Sequence, residues 1–461
     1  MFDPANYTFG IEEIEKHIHR NLKVAETIKM QQRFERKWNS RKVNLELNTS
    51  KPRELIDEWQ LERISLLIDY VYSNHPFYHQ LYSSVGYERG DIVSWDDYNA
   101  LPTISKQDII SNFPMFKEAN IAPSIQACYS SRTSGSSGQV LNVYDDQTMT
   151  DQRMLNFFRF HDQILGRPRK SDEWLYDIYL ASPAYSSIEG KFPIFTVSNE
   201  CPIEPILKHI KLIKPTILNA FPSYLLRLGS IVTNPVDLGI KVITTNSESS
   251  TQAEREKISS QFEASVFDEY SSIELSLIAA QCRNKKYHIV EDNVRVDVLN
   301  PDEGGIGEIV ATNLHNTFMP FIRYRQGDII KISGDQEICP CGNKFRSLKS
   351  FMGRTDQVLY SKTIGEVAPD LVMSLYDKTL ILVEANIEEF QIVQKKLNEV
   401  RIIIVPADKS QEVNQDLLSY FINGLKDIFN DNNLKIIIEK LDRMPPEKSH
   451  KRRLIKREFE P

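Results

Sequence analysis

Nine consecutive residues gather hydroxyls and two glycines into one short stretch, Ser130-Ser131-Arg132-Thr133-Ser134-Gly135-Ser136-Ser137-Gly138. Short side chains and glycine let successive backbone N–H groups converge on an anion, as phosphate binding requires. The same composition also describes a solvated linker. Gln139 follows Gly138, so the Gly-Lys-Ser/Thr ending of a P-loop is missing and the positive charge for a phosphate has to come from elsewhere. Carboxylates able to hold a hard cation or accept hydrogen bonds from hydroxyls stand in Phe267-Asp268-Glu269-Tyr270-Ser271-Ser272-Ile273-Glu274 and in Tyr324-Arg325-Gln326-Gly327-Asp328. Asp328 taken alone reads also as a turn residue after glycine. Near the end of the chain, Pro445 to Glu458 carries Lys448 and Lys451 in a basic run, the usual mark of a solvated face. Cys282 and His288, with Cys339 and Cys341, are four ligands of the type zinc takes in closed tetrahedral sites; reduced buried thiols are the alternative. Cys128 and Cys201 have no evident partner in the sequence.

These groups need elements to position them. The Ser/Gly stretch is followed by Val140 to Tyr144, a β-branched and aromatic run, which makes it the tip between two extended segments. Upstream, residues 1 to about 100 alternate helical patterns with aromatic loops. Leu55 to Asn74 repeats apolar positions at helical spacing, Pro76 marks a boundary, and Ser105 followed by Asp108 is a helix start. These residues read as a helical cap. From 150 to 280, short buried strands (TILNAFP, KVITTNS, ASVFDEYSS) alternate with helical stretches, the pattern of an α/β sheet covered by helices. In such sheets active groups lie beyond the carboxyl ends of the strands, where Glu248 and the group from Asp268 to Glu274 fall. Phe157, Phe158, Phe160 and His161 at helical spacing read as core. Between about 290 and 350 short strands separated by Gly-containing turns predict a β-rich part. Beyond it strand, strand, helix, strand predict a small α+β domain. The fold class is thus α/β: a large N-terminal domain over 1–355 with a β-rich part, and a small C-terminal α+β domain over 356–461.

Composition narrows the function. At 461 residues, 41% of them hydrophobic and 26% charged, the chain is an ordinary globular one. The formal charge of -7 argues against a surface built for nucleic acid. No run approaches the roughly 20 apolar residues of a membrane span, and the N-terminal residues lack a basic region followed by an apolar stretch. A cytoplasmic location is expected, and the five cysteines do not form a secreted disulfide framework.

The order of LPTISKQDI, SSRTSGSSG, ILNAFPSYL, FDEYSSIE, PFIRYRQGDI, GRTDQVLYSKTIGEVAPD, EFQIVQ and PPEKSHKRR resembles the adenylate-forming superfamily of acyl and aryl ligases, most closely its phenylacetate-CoA ligase-like branch. The resemblance implies that ATP activates a small-molecule carboxylate as an acyl-adenylate with release of pyrophosphate, after which a thiol, most commonly that of coenzyme A, takes the acyl group. A carrier-protein thiol or an amine is the alternative acceptor, and a non-catalytic nucleotide-binding relative is the alternative class. By resemblance, Ser131, Thr133, Ser134, Gly135, Ser136, Ser137 and Gly138 hold the β- and γ-phosphates. Tyr270 lies against the adenine, with Ser271, Ser272, Glu248 and Glu269 on the nucleotide. Glu274 holds Mg2+, Asp328 takes the ribose hydroxyls, Arg354 approaches the nucleotide and Asp356 is the hinge of a mobile small domain. Lys451 is the catalytic lysine, with His450 where the family has glycine and Lys448 as its competitor. Arg132, Ser271, Ile273 and Gln326 also depart from the pattern. Some members of the branch carry a Cys/His set similar to Cys282, His288, Cys339 and Cys341, which implies structural Zn2+. The acyl pocket is implied near Phe221 to Ser223 and Asn246 to Glu248, and homodimers are frequent in the branch.

Overall fold

The computed structural model describes residues 7–18, 24–117, 128–133, 140–180, 191–334, 337, 339–381, 386–406, 408–444 and 453–459. The chain opens with helices: α1 (Glu12–His17), α2 (Val24–Asn48), α3 (Arg53–Asn74), α4 (Pro76–Ser83), α5 (Trp95–Ala100), α6 (Lys106–Ser111) and α7 (Phe113–Lys117). The stop-and-restart at Pro76 follows from its chemistry, since proline at the first helical position gives up no hydrogen bond that a helix needs. At α6 the capping box is complete. Ser105 Oγ accepts from the Asp108 N–H, and the Asp108 carboxylate accepts from the Ser105 N–H at 2.7 Å.

A hairpin follows, β1 (Tyr129–Arg132) paired antiparallel with β2 (Asn142–Asp145), and then α8 (Gln147–Leu165), capped by Asp146 and ended by Gly166 in the left-handed conformation. The main sheet has eleven strands. Its parallel half comprises β3 (Leu175–Tyr179), β4 (Ile194–Ser198), β5 (Ile217–Ala220), β6 (Val242–Thr245) and β7 (Ser265–Ser272), with helices α9 (Ile203–Ile213), α10 (Pro222–Ser230) and α11 (Gln252–Phe262) between them. From β7 onward the pairing is antiparallel through β8 (Ser276–Gln281), β9 (Tyr287–Ile289), β10 (Val294–Leu299), β11 (Ile306–Asn313), β12 (Tyr324–Ile332) and β13 (Ser347–Arg354). The spatial order is β10-β11-β12-β13-β9-β8-β7-β6-β5-β3-β4, so the β-rich stretch extends the same sheet.

The parallel half is buried on both faces, as is usual for parallel strands covered by helices. One face packs on α9 to α11 through Ile178, Leu218 and Ile243, the other on α2 and α8 through Leu175, Ile217 and Val242. The antiparallel half packs on α3 and α4 through Ile278, Val296 and Ala311. A buried ion pair and a buried ion triad tie the helices to this half. The Arg159 guanidinium meets the Asp292 carboxylate at 2.7 Å, and Glu291, 0% exposed, lies between Arg53 and Arg346.

The C-terminal small domain has its own core around Val372, Ile402, Phe421 and Leu425. It holds β14 (Leu359–Ser361), β15 (Gly365–Val367), α12 (Pro369–Tyr376), β16 (Ile387–Lys396), β17 (Glu399–Pro406), α13 (Gln415–Phe429), β18 (Lys435–Lys440) and β19 (Ile455–Arg457). Four of its strands form a sheet in the order β18-β17-β16-β19. Among the described residues no helix is long and apolar enough to cross a membrane.

Candidate active site

The hairpin is closed at its described end by Thr133. Its N–H donates to the Leu141 carbonyl and its Oγ1 accepts from the Leu141 N–H, both at 2.9 Å. A third contact comes from outside: Lys106 Nζ donates to the same Thr133 Oγ1 at 2.8 Å. The capping box fixes Lys106 as the first residue of α6. Ile104, two residues earlier, bonds the Arg323 carbonyl and the Arg325 N–H, so the segment runs alongside the start of β12. Burial holds the Lys106 pKa below the ordinary lysine value, opposed by Glu274. A half-buried ammonium thus sits at the base of the Ser/Gly tip, where the sequence offers no lysine of its own. Lys106 was not among the sequence candidates, although it stands inside LPTISKQDI, directly after the helix-starting serine. Ser131 is exposed on β1, and Ser134 to Gly138 lie outside the described residues.

Across from the hairpin, the β7–β8 turn carries Glu274, 7% exposed, whose carboxylate accepts from the Tyr324 hydroxyl at 3.1 Å. Ser272 closes this turn, accepting from the Leu275 N–H at 3.1 Å, while Ser271 sits at the bulge where the β7–β8 register shifts. Arg153 of α8 joins turn and hairpin, donating to Asp145 at the end of β2 and to the Ile273 carbonyl.

Tyr270, Gln326, Asp328 and Arg354 meet in one cluster. The Tyr270 hydroxyl and Gln326 Nε2 both donate to Asp328 Oδ2, the latter at 2.8 Å. Arg354, the cross-strand partner of Asp328 between β12 and β13, reaches Oδ1 at 3.3 Å. The ring of Phe351 stands edge-on to Tyr270 at 4.7 Å and to Tyr287 at 5.0 Å. Burial pushes the Tyr270 hydroxyl well above its ordinary range, so it stays a neutral donor. Successive side chains of a strand alternate, and Glu269 accordingly points to the opposite face of β7, where its Oε1 accepts from Asn246 at 2.9 Å. Glu248 accepts from the Ser223 N–H at 3.3 Å. The structure therefore separates Glu269 from Tyr270, which the sequence reading had grouped. Lys448, His450 and Lys451 lie outside the described residues.

The four candidate zinc ligands converge. Their ligand atoms all lie within 4.8 Å of one another. Pairing of β8 with β9, and of β9 with β13, brings Cys282 and His288 beside the loop that carries Cys339 and Cys341. Cys282 Sγ is 3.7 Å from Cys339 Sγ, and Cys341 Sγ is 3.4 Å from His288 Nε2. A tetrahedron with Zn–S of about 2.3 Å has S···S edges of about 3.8 Å, so the spacing fits. His288 Nδ1 is 3.0 Å from the Phe345 carbonyl, an outer contact that leaves Nε2 for the inner ring of ligands.

Residues 359–458 match the CapK C-terminal domain family. The chain is 24% identical over 392 residues to a phenylacetate-coenzyme A ligase of Thermus thermophilus, spanning 80% of this chain and 85% of that protein. It is 22% identical over 381 residues to the protein CapK of Staphylococcus aureus, spanning 77% and 80%. Among solved structures, a 2-hydroxyisobutyryl-CoA ligase in the postadenylation state superposes with a TM-score of 0.73 at 17% identity, covering 89% of this chain and 91% of that one. The fold, the order of motifs and these likenesses agree: over most of its length the chain is similar to phenylacetate-coenzyme A ligases and to CapK, and it has the fold of a CoA ligase.

Proposed function

We propose that this protein is an ATP-dependent, AMP-forming acid–thiol ligase that activates a carboxylate as its acyl-adenylate and transfers the acyl group to coenzyme A. The observation that carries the reading is the convergence of three groups at one end of the sheet: the hairpin with Lys106 at its base, the Glu274 turn, and the Tyr270–Gln326–Asp328–Arg354 cluster. The chemical difficulty is bringing an anionic carboxylate to an anionic α-phosphate, which calls for preorganised positive charge and N–H donors.

Thr133 and the residues from Ser131 to Gly138 hold the β- and γ-phosphates, with Lys106 supplying the charge that the loop lacks. Asp328 takes the ribose hydroxyls, exchanging the Tyr270 and Gln326 donors that occupy its Oδ2 for those of the sugar. Tyr270 then lies against the base, Ser271, Ser272 and Glu248 line the nucleotide side, and Arg354 holds Asp328 from the neighbouring strand. Glu274, a buried carboxylate that among the described residues accepts from one neutral hydroxyl at 3.1 Å, is a hard oxygen ligand suited to Mg2+. When bound there, the metal neutralises phosphate charge. Lys451 approaches the carboxylate and α-phosphate for adenylation, and the small domain, dividing from residues 1–355 at Asp356, turns to admit the thiol. Cys282, His288, Cys339 and Cys341 hold a structural Zn2+ that ties the β8–β9 turn to the loop before β13.

The test is to incubate the purified full chain with ATP, Mg2+, coenzyme A and a panel of aromatic, aliphatic and amino-substituted acids. AMP and pyrophosphate should appear together, dependent on one class of acid. Absence of AMP and of pyrophosphate exchange across the panel refutes the reading.

A further inference from the structure

On the face that the parallel strands turn toward α8, an apolar layer gives way to a polar row at the carboxyl ends. Leu175, Ile217 and Val242 lie in register in β3, β5 and β6 and are buried with Leu155 and Phe158 of α8. Two residues further along each strand, on the same face, stand Asp177, Asn219 and Thr244, and beyond them Asn246 and Glu269. The row is continuous. Asn219 Nδ2 donates to Asp177 Oδ1 at 2.7 Å, Thr244 Oγ1 donates to Asn219 Oδ1 at 2.8 Å, and Asn246 Nδ2 donates to Asn219 Oδ1 at 3.2 Å and to Glu269 Oε1 at 2.9 Å. Asp177 and Asn246 are each only 6% exposed, and Asn246 Oδ1 has no hydrogen-bond partner among the described residues. Buried polar atoms without partners are rare in folded proteins, and each calls for an explanation.

The row leaves Asn246 Oδ1 as an acceptor that no donor among the described residues meets, and ligands of open α/β sheets bind at the carboxyl ends of the strands. We propose that Asp177, Asn219, Asn246 and Glu269 form the floor of the acyl pocket and select a carboxylic acid whose far end carries a hydroxyl or amino group, rather than a bare phenyl or alkyl end. The inference rests on the ligase reading above, because it assigns the acid which that reaction activates. A donor on the substrate completes Asn246 Oδ1, whereas a phenyl or methyl end buries it against carbon. Burial, opposed by the Asn219 amide, pushes the Asp177 carboxyl up to about 7; burial likewise pushes Glu269 up to about 8. Near neutral pH the row is therefore polar without carrying two fixed negative charges. A site that hydrogen-bonds a substrate hydroxyl discriminates far more strongly against the analogue lacking it than an apolar pocket does against an added hydroxyl.

The test uses matched acids with the full chain: phenylacetate against its para-hydroxy and para-amino derivatives, and hexanoate against its ω-hydroxy and ω-amino derivatives. Two quantities are read, the rate of AMP formation and direct binding of the acid by calorimetry. A donor-bearing member should exceed its apolar partner by about tenfold or more in kcat/KM and in Kd, and the two derivatives show which donor is used. Asn246→Leu should abolish that margin by weakening the donor-bearing acid. Asn246→Asp, equal in size and so a second variant if the leucine form does not fold, should move the preference toward the amino derivative. Equal or better use of the apolar acids in both series, or a margin untouched by both variants, overturns the inference. So does failure of every donor-bearing acid both to bind and to react. Selective binding of a donor-bearing acid without AMP from any acid sinks the ligase reading instead and supports the row as a recognition site.

Discussion

Replacing Lys106 by methionine keeps an unbranched side chain of nearly the same length and removes the ammonium with its charge and its hydrogen bond to Thr133, which makes it the most direct probe of how the Ser/Gly tip obtains a cation. The ammonium stands 2.8 Å from Thr133 Oγ1 and is half-buried. At an effective dielectric constant of about 20, a unit charge about 4 Å from one phosphate charge is worth about 4 kcal/mol. Loss of a preorganised donor to developing charge lowers kcat by about 100- to 1000-fold, and the two figures agree in scale. The cost to folding is much smaller. Thr133 Oγ1 keeps its bond from the Leu141 N–H at 2.9 Å and Lys106 is not fully buried, so the variant loses about 1 kcal/mol of stability or less. The assay is AMP formation at saturating ATP and acid, read beside a thermal melt. The reasoning predicts a rate lower by about two to three orders of magnitude with a nearly unchanged melting temperature. A folded Lys106→Met protein whose kcat stays within about fivefold of the parent, equivalent to less than about 1 kcal/mol, would refute the assignment. A large drop in stability would show that the contact is structural.

Lys451→Ala should abolish pyrophosphate exchange yet still consume a supplied acyl-adenylate in the presence of coenzyme A; equal loss of both half-reactions contradicts a role confined to adenylation. The purified protein should contain about one zinc per chain, the number that four converging ligands hold, and Cys282→Ser or prolonged chelation should lower its melting temperature. Elemental analysis near zero zinc with stability unchanged in chelator removes that claim. Burial raises the Glu291 pKa, but Arg346 and Arg53 outweigh it and hold it below 4.5. A carboxylate with a depressed pKa in the fold contributes stability that is present above its unfolded pKa and is lost as the pH falls through the folded one. Glu291→Gln should therefore cost about 3–5 kcal/mol near neutral pH and flatten the loss of stability below pH 4.5, measured by urea titrations across pH; an acid limb identical to the parent's argues against it.

Much of this architecture is legible in the residues themselves because it is local. Pro76, the Ser105–Asp108 box and the spacing of apolar residues from Leu55 to Asn74 specify helix ends and faces through interactions within a turn or two, and the structure has α3, α4 and α6 there. The flanks of the Ser/Gly stretch are strands, as the β-branched run after it predicts, and the alternation over 150–280 yields the parallel half of the sheet. The order of motifs likewise pointed to the superfamily without any coordinates.

What the chain could not disclose on its own are the partnerships that depend on strand order. Lys106 and Thr133 meet because Ile104 is pinned beside β12, a contact more than two hundred residues away in sequence with no periodic trace. Glu269 and Tyr270 are neighbours in the chain, yet the pleat sends them to opposite faces. Cys282 and Cys339 become neighbours through the pairing of β9 with both β8 and β13. The row from Asp177 to Glu269 exists only because four parallel strands lie in register, setting Asp177, Asn219 and Thr244 at one height with Asn246 and Glu269 beyond them. Types and short spacings thus determined which chemistry was available, and the sheet decided which groups share it, since hydrogen-bonded register, unlike helical periodicity, couples residues without regard to their separation along the chain.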